Sequence, residues 1–354
     1  MRRTIPLFLV AAGVLLASAD WSPRRAVLVA LATAQAPRLL SETGLYTDSP
    51  SVVNPNNRAY SPQYPLWSDG AGKDRWILLP AGAPIDATRM DRWAFPEGTK
   101  FWKEFAFGGR KVETRFIWRA TAQDWVFATY LWDDDQKDAA LAPREGVASY
   151  LEIAPGKRHG IPSVADCLTC HERGVLGFSA LQLSTDRDPL APHAEPLKPG
   201  MVTLATLVEE GLIKPAPSHL VETPPRIASD NPHTRAVLGY LMSNCGSCHA
   251  ADGALGQLGL DFLHSPAAGD QAGEPGFASS VGRAGRWNIP SLPEGATRRI
   301  EPGAPERSSV FYRMNSRRPL SQMPPLGTVL PDQQALDLLR RWITEDLRAA
   351  SGRD

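Results

Sequence analysis

Short apolar stretches alternate with turns rich in glycine, proline and aspartate between residues 37 and 160. The stretches are rich in aromatic and β-branched residues, which favour strands. In one of them every second side chain from Val112 to Trp118 is large or β-branched, the spacing of a half-buried strand. We therefore predict a β-rich, sandwich-like domain over residues 37–160. Its predicted strands are RWILLP, TKFWKEFAF, KVETRFIWRA, DWVFATYLW and ASYLEIA.

The last third of the chain has a helical period instead. Asn231–Pro232 is a typical helix start, with asparagine as the N-cap and proline at the first position. An apolar stripe follows and leads to Cys245. A second helix is predicted after Pro331–Asp332. Its apolar face carries Leu336, Leu339, Trp342, Ile343 and Leu347. This pattern predicts an all-α domain over residues 231–350, which makes the chain α+β and multidomain.

Residues 161–230 form a short, proline-rich segment between these two parts. Ile161–Pro162 favours extended chain at its start, since the residue before a proline avoids the helical region. No long amphipathic helix is predicted here. The acidic run Asp133–Asp135, just upstream, is most simply a solvated turn, and an oxygen-ligand metal site is the second interpretation.

Residues 1–36 have the features of a targeting region. Arg2–Arg3 precedes a first apolar run and Arg24–Arg25 precedes a second. Neither run reaches the roughly 20 apolar residues that span a bilayer comfortably. Cleavage after Ala19 or near Ala34 would export everything from about residue 40 onward. We expect a periplasmic protein in a Gram-negative cell, either soluble or held at the membrane through its N-terminus.

Composition narrows the functional classes. The chain has 354 residues, with 38 lysines and arginines against 38 aspartates and glutamates. A balanced charge without a long basic run argues against nucleic acid as a partner. We find no nucleotide-binding loop and no Ser-His-Asp signature.

The four cysteines of the chain all fall in two motifs, CLTCH at Cys167–His171 and CGSCH at Cys245–His249. Cysteines at i and i+3 lie about one helical turn apart and can reach both vinyl groups of a haem from one side. The histidine that follows then directs its imidazole at the iron, and C-x-x-C-H is the attachment signature of c-type haem. The two motifs predict two covalently bound haems c.

Other uses of such cysteines fit less well. A Cys₄ zinc site usually keeps its two pairs roughly 15–20 residues apart, and these pairs are much farther apart than that. Disulfides between i and i+3 close very small loops and stabilise little. A thioredoxin-like pair does not require a following histidine.

The helix leading into Cys245 and the aromatic helix near the C-terminus resemble the two crossing terminal helices of mono-haem cytochromes c. In that family a small residue lies where the helices touch, and Gly239 facing Trp342 would fit. The resemblance implies a cytochrome c domain over residues 231–350.

The segment SQMPPLGT resembles the loop of the same family that supplies the sixth iron ligand. The resemblance implies that Met323 binds the iron opposite His249. A thioether ligand favours ferrous iron and raises the potential. Met314 is the competing candidate, but it lacks the rigid proline pair that follows Met323.

The sixth ligand of the first haem has no clear signal. His193 in APHAEP is the favoured candidate, with Met201 and His159 as alternatives, and an open sixth position is also compatible with the sequence. The ligand on the attachment side is His171.

The blocks YPLWSDGAGKDRWILLP, FPEGTKFWKEF, LGFSALQLS and SQMPPLGT together resemble a bacterial family of dihaem cytochromes with an N-terminal β-rich region. The resemblance implies haem binding and electron transfer between redox partner proteins. It brings no established substrate. Two other hypotheses stay open: a catalytic dihaem oxidoreductase of the peroxidase type, and the cytochrome subunit of a periplasmic dehydrogenase.

Overall fold

A large antiparallel sheet carries most of the strands predicted between residues 37 and 160. The computed structural model describes residues 34–47, 52–90, 92–172 and 174–348. The predicted targeting region lies outside the described residues up to residue 33, and so does the candidate cleavage site at Ala19.

The strands of the described residues are β1 (Arg58–Ala59), β2 (Gly72–Leu78), β3 (Ile85–Asp86), β4 (Lys100–Phe107), β5 (Arg110–Arg119), β6 (Trp125–Trp132), β7 (Ala139–Leu141), β8 (Val147–Ala154), β9 (Lys157–Ile161) and β10 (Ile213–Lys214). Six of them form one sheet in the order β1-β2-β4-β5-β6-β7, and every neighbouring pair in it is antiparallel. Strands β8 and β9 form a hairpin, and β10 pairs with β3 in parallel. The five strand stretches predicted from the sequence are confirmed.

Both faces of the large sheet are covered. On one face Trp102, Phe116 and Tyr130 pack with Leu40 and Leu45 from the start of the described chain. On the other face the apolar end of the sheet forms a common core with residues 178–213. A sandwich would need a second large sheet, whereas the two other described sheets have two strands each. The segment after the first motif takes the place of that second layer.

The helices of the described residues are α1 (Val164–His171), α2 (Leu204–Glu209), α3 (His219–Glu222), α4 (Pro232–Cys245), α5 (Pro275–Ser280), α6 (Ser309–Asn315) and α7 (Gln333–Arg341). Helix α7 runs on into a π-helical turn, Trp342–Asp346. The α+β class predicted from the sequence is therefore confirmed. None of the described helices is long and apolar enough to cross a membrane.

Helices α4 and α7 begin where the sequence predicts. The Asn231 side chain accepts a hydrogen bond from the backbone N–H of Thr234, and Asp332 caps α7 in the same way. The predicted apolar face of α7 and its continuation is buried against α4 and α6. The indole of Trp342 donates to the Thr234 hydroxyl at 2.8 Å.

The predicted contact between Gly239 and Trp342 is wrong. A methyl group placed on Gly239 would overlap the ring of Tyr64, which comes from the segment between β1 and β2. The helices α4 and α7 do touch, but the small residue on α4 makes room for an aromatic ring from the β-rich part of the chain. A tyrosine inserted from a distant segment leaves no trace in the pattern of α4 itself.

Candidate functional site

The first CxxCH motif lies on α1, which is short and well capped. Ser163 is the N-cap: its side chain accepts from the Asp166 N–H, while the Asp166 carboxylate accepts from the Ser163 N–H. This capping box starts the helix directly before Cys167. Helix α1 packs on β6, where the ring of His171 lies 5.3 Å from that of Phe127.

His171 is held as a neutral imidazole with a fixed tautomer. Its Nδ1 lies 2.9 Å from the carbonyl oxygen of Gly174, so Nδ1 carries the proton and donates it. Burial, opposed by that hydrogen bond and reinforced by the charges of Lys103 and Arg115, lowers the pKa of His171 to about 4. The lone pair of Nε2 is therefore available to a metal, the arrangement that iron- and zinc-binding histidines commonly use.

The second motif begins at the last residue of α4, Cys245. The backbone N–H of His249 donates to the Cys245 carbonyl, which continues the helical turn through the motif. His249 is 9% exposed, and its Nδ1 is buried without a hydrogen-bond partner among the described residues. Burial, followed by the charges of Arg313 and Arg299, lowers the pKa of His249. A neutral imidazole with an unpartnered buried nitrogen results.

The fold brings the two motifs together, although they are far apart in the chain. Cys170 and Cys248 lie close enough for each thiol to change the pKa of the other, and all four cysteines are unbridged thiols. Their interaction raises the pKa of Cys170 and lowers the pKa of Cys248. The second cysteines of the two motifs thus lie side by side.

Four basic side chains are neighbours on the sheet face against which α1 packs. Cross-strand register aligns Arg75 of β2 with Lys103 of β4 and Arg115 of β5, and Lys73 lies two residues before Arg75 on the same face. We call these four residues the cationic face. Arg115 lies close enough to Cys167 and Cys170 to change the pKa of its guanidinium, which places the cationic face beside the first motif.

A buried acid–base chain runs from the cationic face towards the C-terminal part. Arg115 pairs with Oε1 of Glu113 at 2.7 Å, and Nε2 of His159 lies 3.1 Å from the same oxygen. Nδ1 of His159 lies 3.3 Å from Asp69. Burial opposes protonation of His159, but the hydrogen bonds to Asp69 and Glu113 outweigh it and raise its pKa.

This network of buried acid and base groups extends to the loop after Met323. The second carboxylate oxygen of Asp69 accepts the backbone N–H groups of Val329 and Leu330 at 2.8 and 2.9 Å. Asp69 therefore ties the β-rich part to the segment that precedes α7. The sequence reasoning missed this chain, because His159, Glu113 and Asp69 lie far apart in the sequence.

The two candidate methionines differ in their surroundings. Met323 is partly buried, and its backbone N–H donates to the carbonyl of Arg313 at 2.9 Å. Arg313 is also a charge neighbour of His249, so the Met323 segment and the second motif share this residue. Met314 is 7% exposed and packs in the apolar core between α4, α6 and α7.

The candidate sixth ligands of the first site are engaged elsewhere in the structure. Nε2 of His193 lies 2.8 Å from Asp332, and its ring stacks on Trp67 at 4.8 Å. Both ring nitrogens of His159 face carboxylates. The sulfur of Met201 accepts the backbone N–H of Lys198 at 3.4 Å.

These residues fit a pair of haems c in their donor chemistry. Each motif offers two free thiols and one neutral imidazole, and the first has its Nδ1 fixed by Gly174. A haem iron takes one or two ligands from the protein. Within the described ranges no three His, Cys, Asp or Glu side chains are grouped as ligands for a bare metal ion. The acidic run Asp133–Asp135 is an exposed turn.

Comparison with protein-family models, with curated proteins and with solved structures gave no match for this chain.

Proposed function

We propose that this chain is an exported c-type cytochrome that binds two haems covalently and transfers electrons between redox partner proteins. The observation that carries the proposal is the proximity of the two CxxCH motifs, whose second cysteines, Cys170 and Cys248, change each other's pKa. Two attachment sites that meet in space suit the passage of an electron from one cofactor to the other. When bound, each haem supplies a one-electron iron couple.

Under this proposal the protein's own residues hold and tune the cofactors. Cys167 and Cys170 bind the first haem, and His171 supplies its iron ligand. Cys245, Cys248 and His249 do the same for the second haem. Met323 is the sixth ligand of the second haem, and its attachment to Arg313 beside His249 supports that role.

We propose that each of the two parts of the fold holds one of the haems. Helices α4, α6 and α7 are a cytochrome c-like domain around the second haem, and the large sheet supports the first. The capped helix α1 and the contact of His171 with Phe127 support this division. We propose membership of the bacterial dihaem family that the sequence resembles. Thiols that must be reduced for haem attachment outside the cytoplasm also support the proposed export to the periplasm.

The number of haems per chain tests the proposal. Wild-type protein, made in a host that attaches haem c, should give two haems per chain in the pyridine haemochrome assay. Replacing both cysteines of either motif, Cys167→Ala with Cys170→Ala or Cys245→Ala with Cys248→Ala, should leave one. The two double variants are matched controls for each other. A wild-type value of one or none would overturn the proposal.

One observation favours a second candidate, a catalytic dihaem oxidoreductase. The side chains considered as sixth ligands of the first haem are engaged with Asp332, Asp69 and Glu113. A first haem without a protein ligand on its far side would be open to a small substrate, and His159 would lie near it as an acid–base group.

Low-temperature EPR of the purified ferric protein separates the two candidates. Two low-spin signals that cyanide leaves unchanged support electron transfer. One high-spin signal that converts on adding cyanide supports the catalytic alternative.

A further inference from the structure

We infer that the cationic face, Lys73, Arg75, Lys103 and Arg115, binds a pair of carboxylates: the two propionates of the haem carried by Cys167 and Cys170. The inference rests on the proposed function for the presence of that haem. It adds an anion site to which neither the motifs nor the family resemblance point.

The four side chains converge because of strand register. Arg75 stands opposite Lys103, and Lys103 stands opposite Arg115, on three neighbouring strands. Directly opposed like charges repel, so such a row is destabilising unless something neutralises it. The row lies beneath the first motif, since Arg115 is a charge neighbour of Cys167.

Two glutamates neutralise part of the positive charge of the cationic face. Arg75 pairs with Glu195 at 2.9 Å, and Arg115 pairs with Glu113 at 2.7 Å. The two ammonium groups have neutral contacts instead. Lys73 donates to the Leu66 carbonyl, and Lys103 lies 4.9 Å from the centre of the Phe105 ring. Both ammonium groups thus lack an ion-pair partner among the described residues, and a haem carries two propionates.

Arg75 offers a donor that an anion would satisfy. Its side chain is 4% exposed, and its Nη2 is buried without a hydrogen-bond partner among the described residues. A charged donor left unsatisfied in the interior is destabilising, and an added carboxylate would satisfy it.

Burial and neighbouring positive charges also lower the pKa values of the two lysines. Burial, with added repulsion from Arg75, lowers the pKa of Lys73 to about 8. Burial and repulsion from Arg75, Lys73 and Arg115 hold the pKa of Lys103 well below its ordinary value. Two carboxylates at this face would favour the charged form of both lysines.

A small soluble carboxylate or phosphate has the same chemistry as a propionate, so the test distinguishes these sources. The site's position argues for the propionates. Lys103 and Arg115 are both charge neighbours of His171, the iron ligand of the first haem. A haem attached to α1 would bring its propionates with it.

The test uses the holoprotein and begins with its haem content. Lys103→Gln removes a charge from the cationic face, and Arg75→Gln removes the unpartnered donor. Lys100→Gln is the matched control: it lies on β4 as well, but on the opposite face, where Lys100 donates to the Thr43 carbonyl. Cations near a haem favour its reduced form. Both test variants should therefore lower the potential of one haem and leave the other unchanged, while the control moves neither.

Several outcomes would overturn the inference. With two haems bound, unchanged potentials in Lys103→Gln and Arg75→Gln, or an equal shift in Lys100→Gln, would do so. If Arg75→Gln does not accumulate, Lys103→Gln carries the test, because Lys103 is only partly buried. A wild-type potential that moves with added phosphate at constant ionic strength would assign the face to a soluble anion instead. A wild-type chain with fewer than two haems would refute the proposed function itself.

Discussion

The two motif histidines differ in the partner of their Nδ1 atom, and under the proposed function this difference would tune the two haems differently. Nδ1 of His171 donates to the Gly174 carbonyl, which would make the imidazole a stronger ligand for iron. Nδ1 of His249 has no partner among the described residues. The second site therefore depends more on its opposite ligand, proposed to be Met323.

Replacement of Met323 tests that ligand. Met323→Ala should lower the potential of one haem and leave the other unchanged, because loss of the thioether removes a ligand that favours ferrous iron. Spectroelectrochemical titration measures both potentials. Met314→Leu is the control, since it keeps the volume of a core side chain and should shift neither potential. A shift in the control without one in Met323→Ala would make Met314 the ligand.

His159 should contribute to stability in a pH-dependent way. It is 1% exposed between two carboxylates, so His159→Gln should lower the free energy of unfolding by about 3 kcal/mol near pH 6. Because the native pKa of His159 is raised above 6.5, this contribution is complete below pH 6.5 and is lost as the pH rises through the higher native value.

Urea unfolding of the wild type and of His159→Gln between pH 6 and 9 measures the difference in their free energies of unfolding. His233→Gln, at a more exposed pair with Asp346, is the control and should cost less than about 1 kcal/mol. A His159→Gln deficit that grows with rising pH would contradict the assignment of a charged, paired imidazole.

At the scale of elements, the first motif depends on the capping box of a helix of only eight residues. Ser163→Ala should lower the free energy of unfolding by about 1 kcal/mol, because the N–H of Asp166 loses its acceptor. Ser218→Ala is the matched control, since Ser218 precedes α3 without a side-chain capping bond. Equal effects of the two substitutions in thermal unfolding would show that the cap does not hold α1.

The contact of α4 with Tyr64 gives a second test on an element. Gly239→Ala should destabilise the protein by about 1–3 kcal/mol, because the added methyl group overlaps a fixed ring. Higher helix propensity of alanine offsets about 1 kcal/mol of this at most. Gly269→Ala, where a methyl group would meet nothing within 4 Å, should be neutral in denaturant unfolding. A stabilised Gly239→Ala variant would disprove the contact.

Elements were predictable from the sequence where their signals are local. The aromatic strands β4 to β6 and the capped helices α4 and α7 follow from periodicity and N-cap residues. The role of the sheet face that carries the cationic face was not predictable. Glu113 and Arg115 alternate with apolar residues, which is typical of a solvated face, yet Glu113 is buried and Arg115 is a charge neighbour of both cysteines of the first motif. Only strand register could have shown that Arg75, Lys103 and Arg115 form a row.

At the scale of the whole molecule, the β-rich part and the helical part are joined at several points near the motifs. Trp67 donates its backbone N–H to Asn244, next to Cys245, and its indole N–H to the Leu330 carbonyl. Asp69 holds the same segment before α7. These bonds join the two parts close to where Cys170 and Cys248 approach each other, so the proposed path between the two haems depends on tertiary structure that neither motif encodes alone.

The most direct test of two covalent haems is the intact mass of the purified protein under denaturing conditions. Thioether-linked haem stays on the chain when the fold is lost, whereas haem held only by iron ligands departs. We predict a mass equal to that of the chain plus two haems, with both retained after unfolding in acid. A chain of unmodified mass, or one carrying a single haem, would contradict the account.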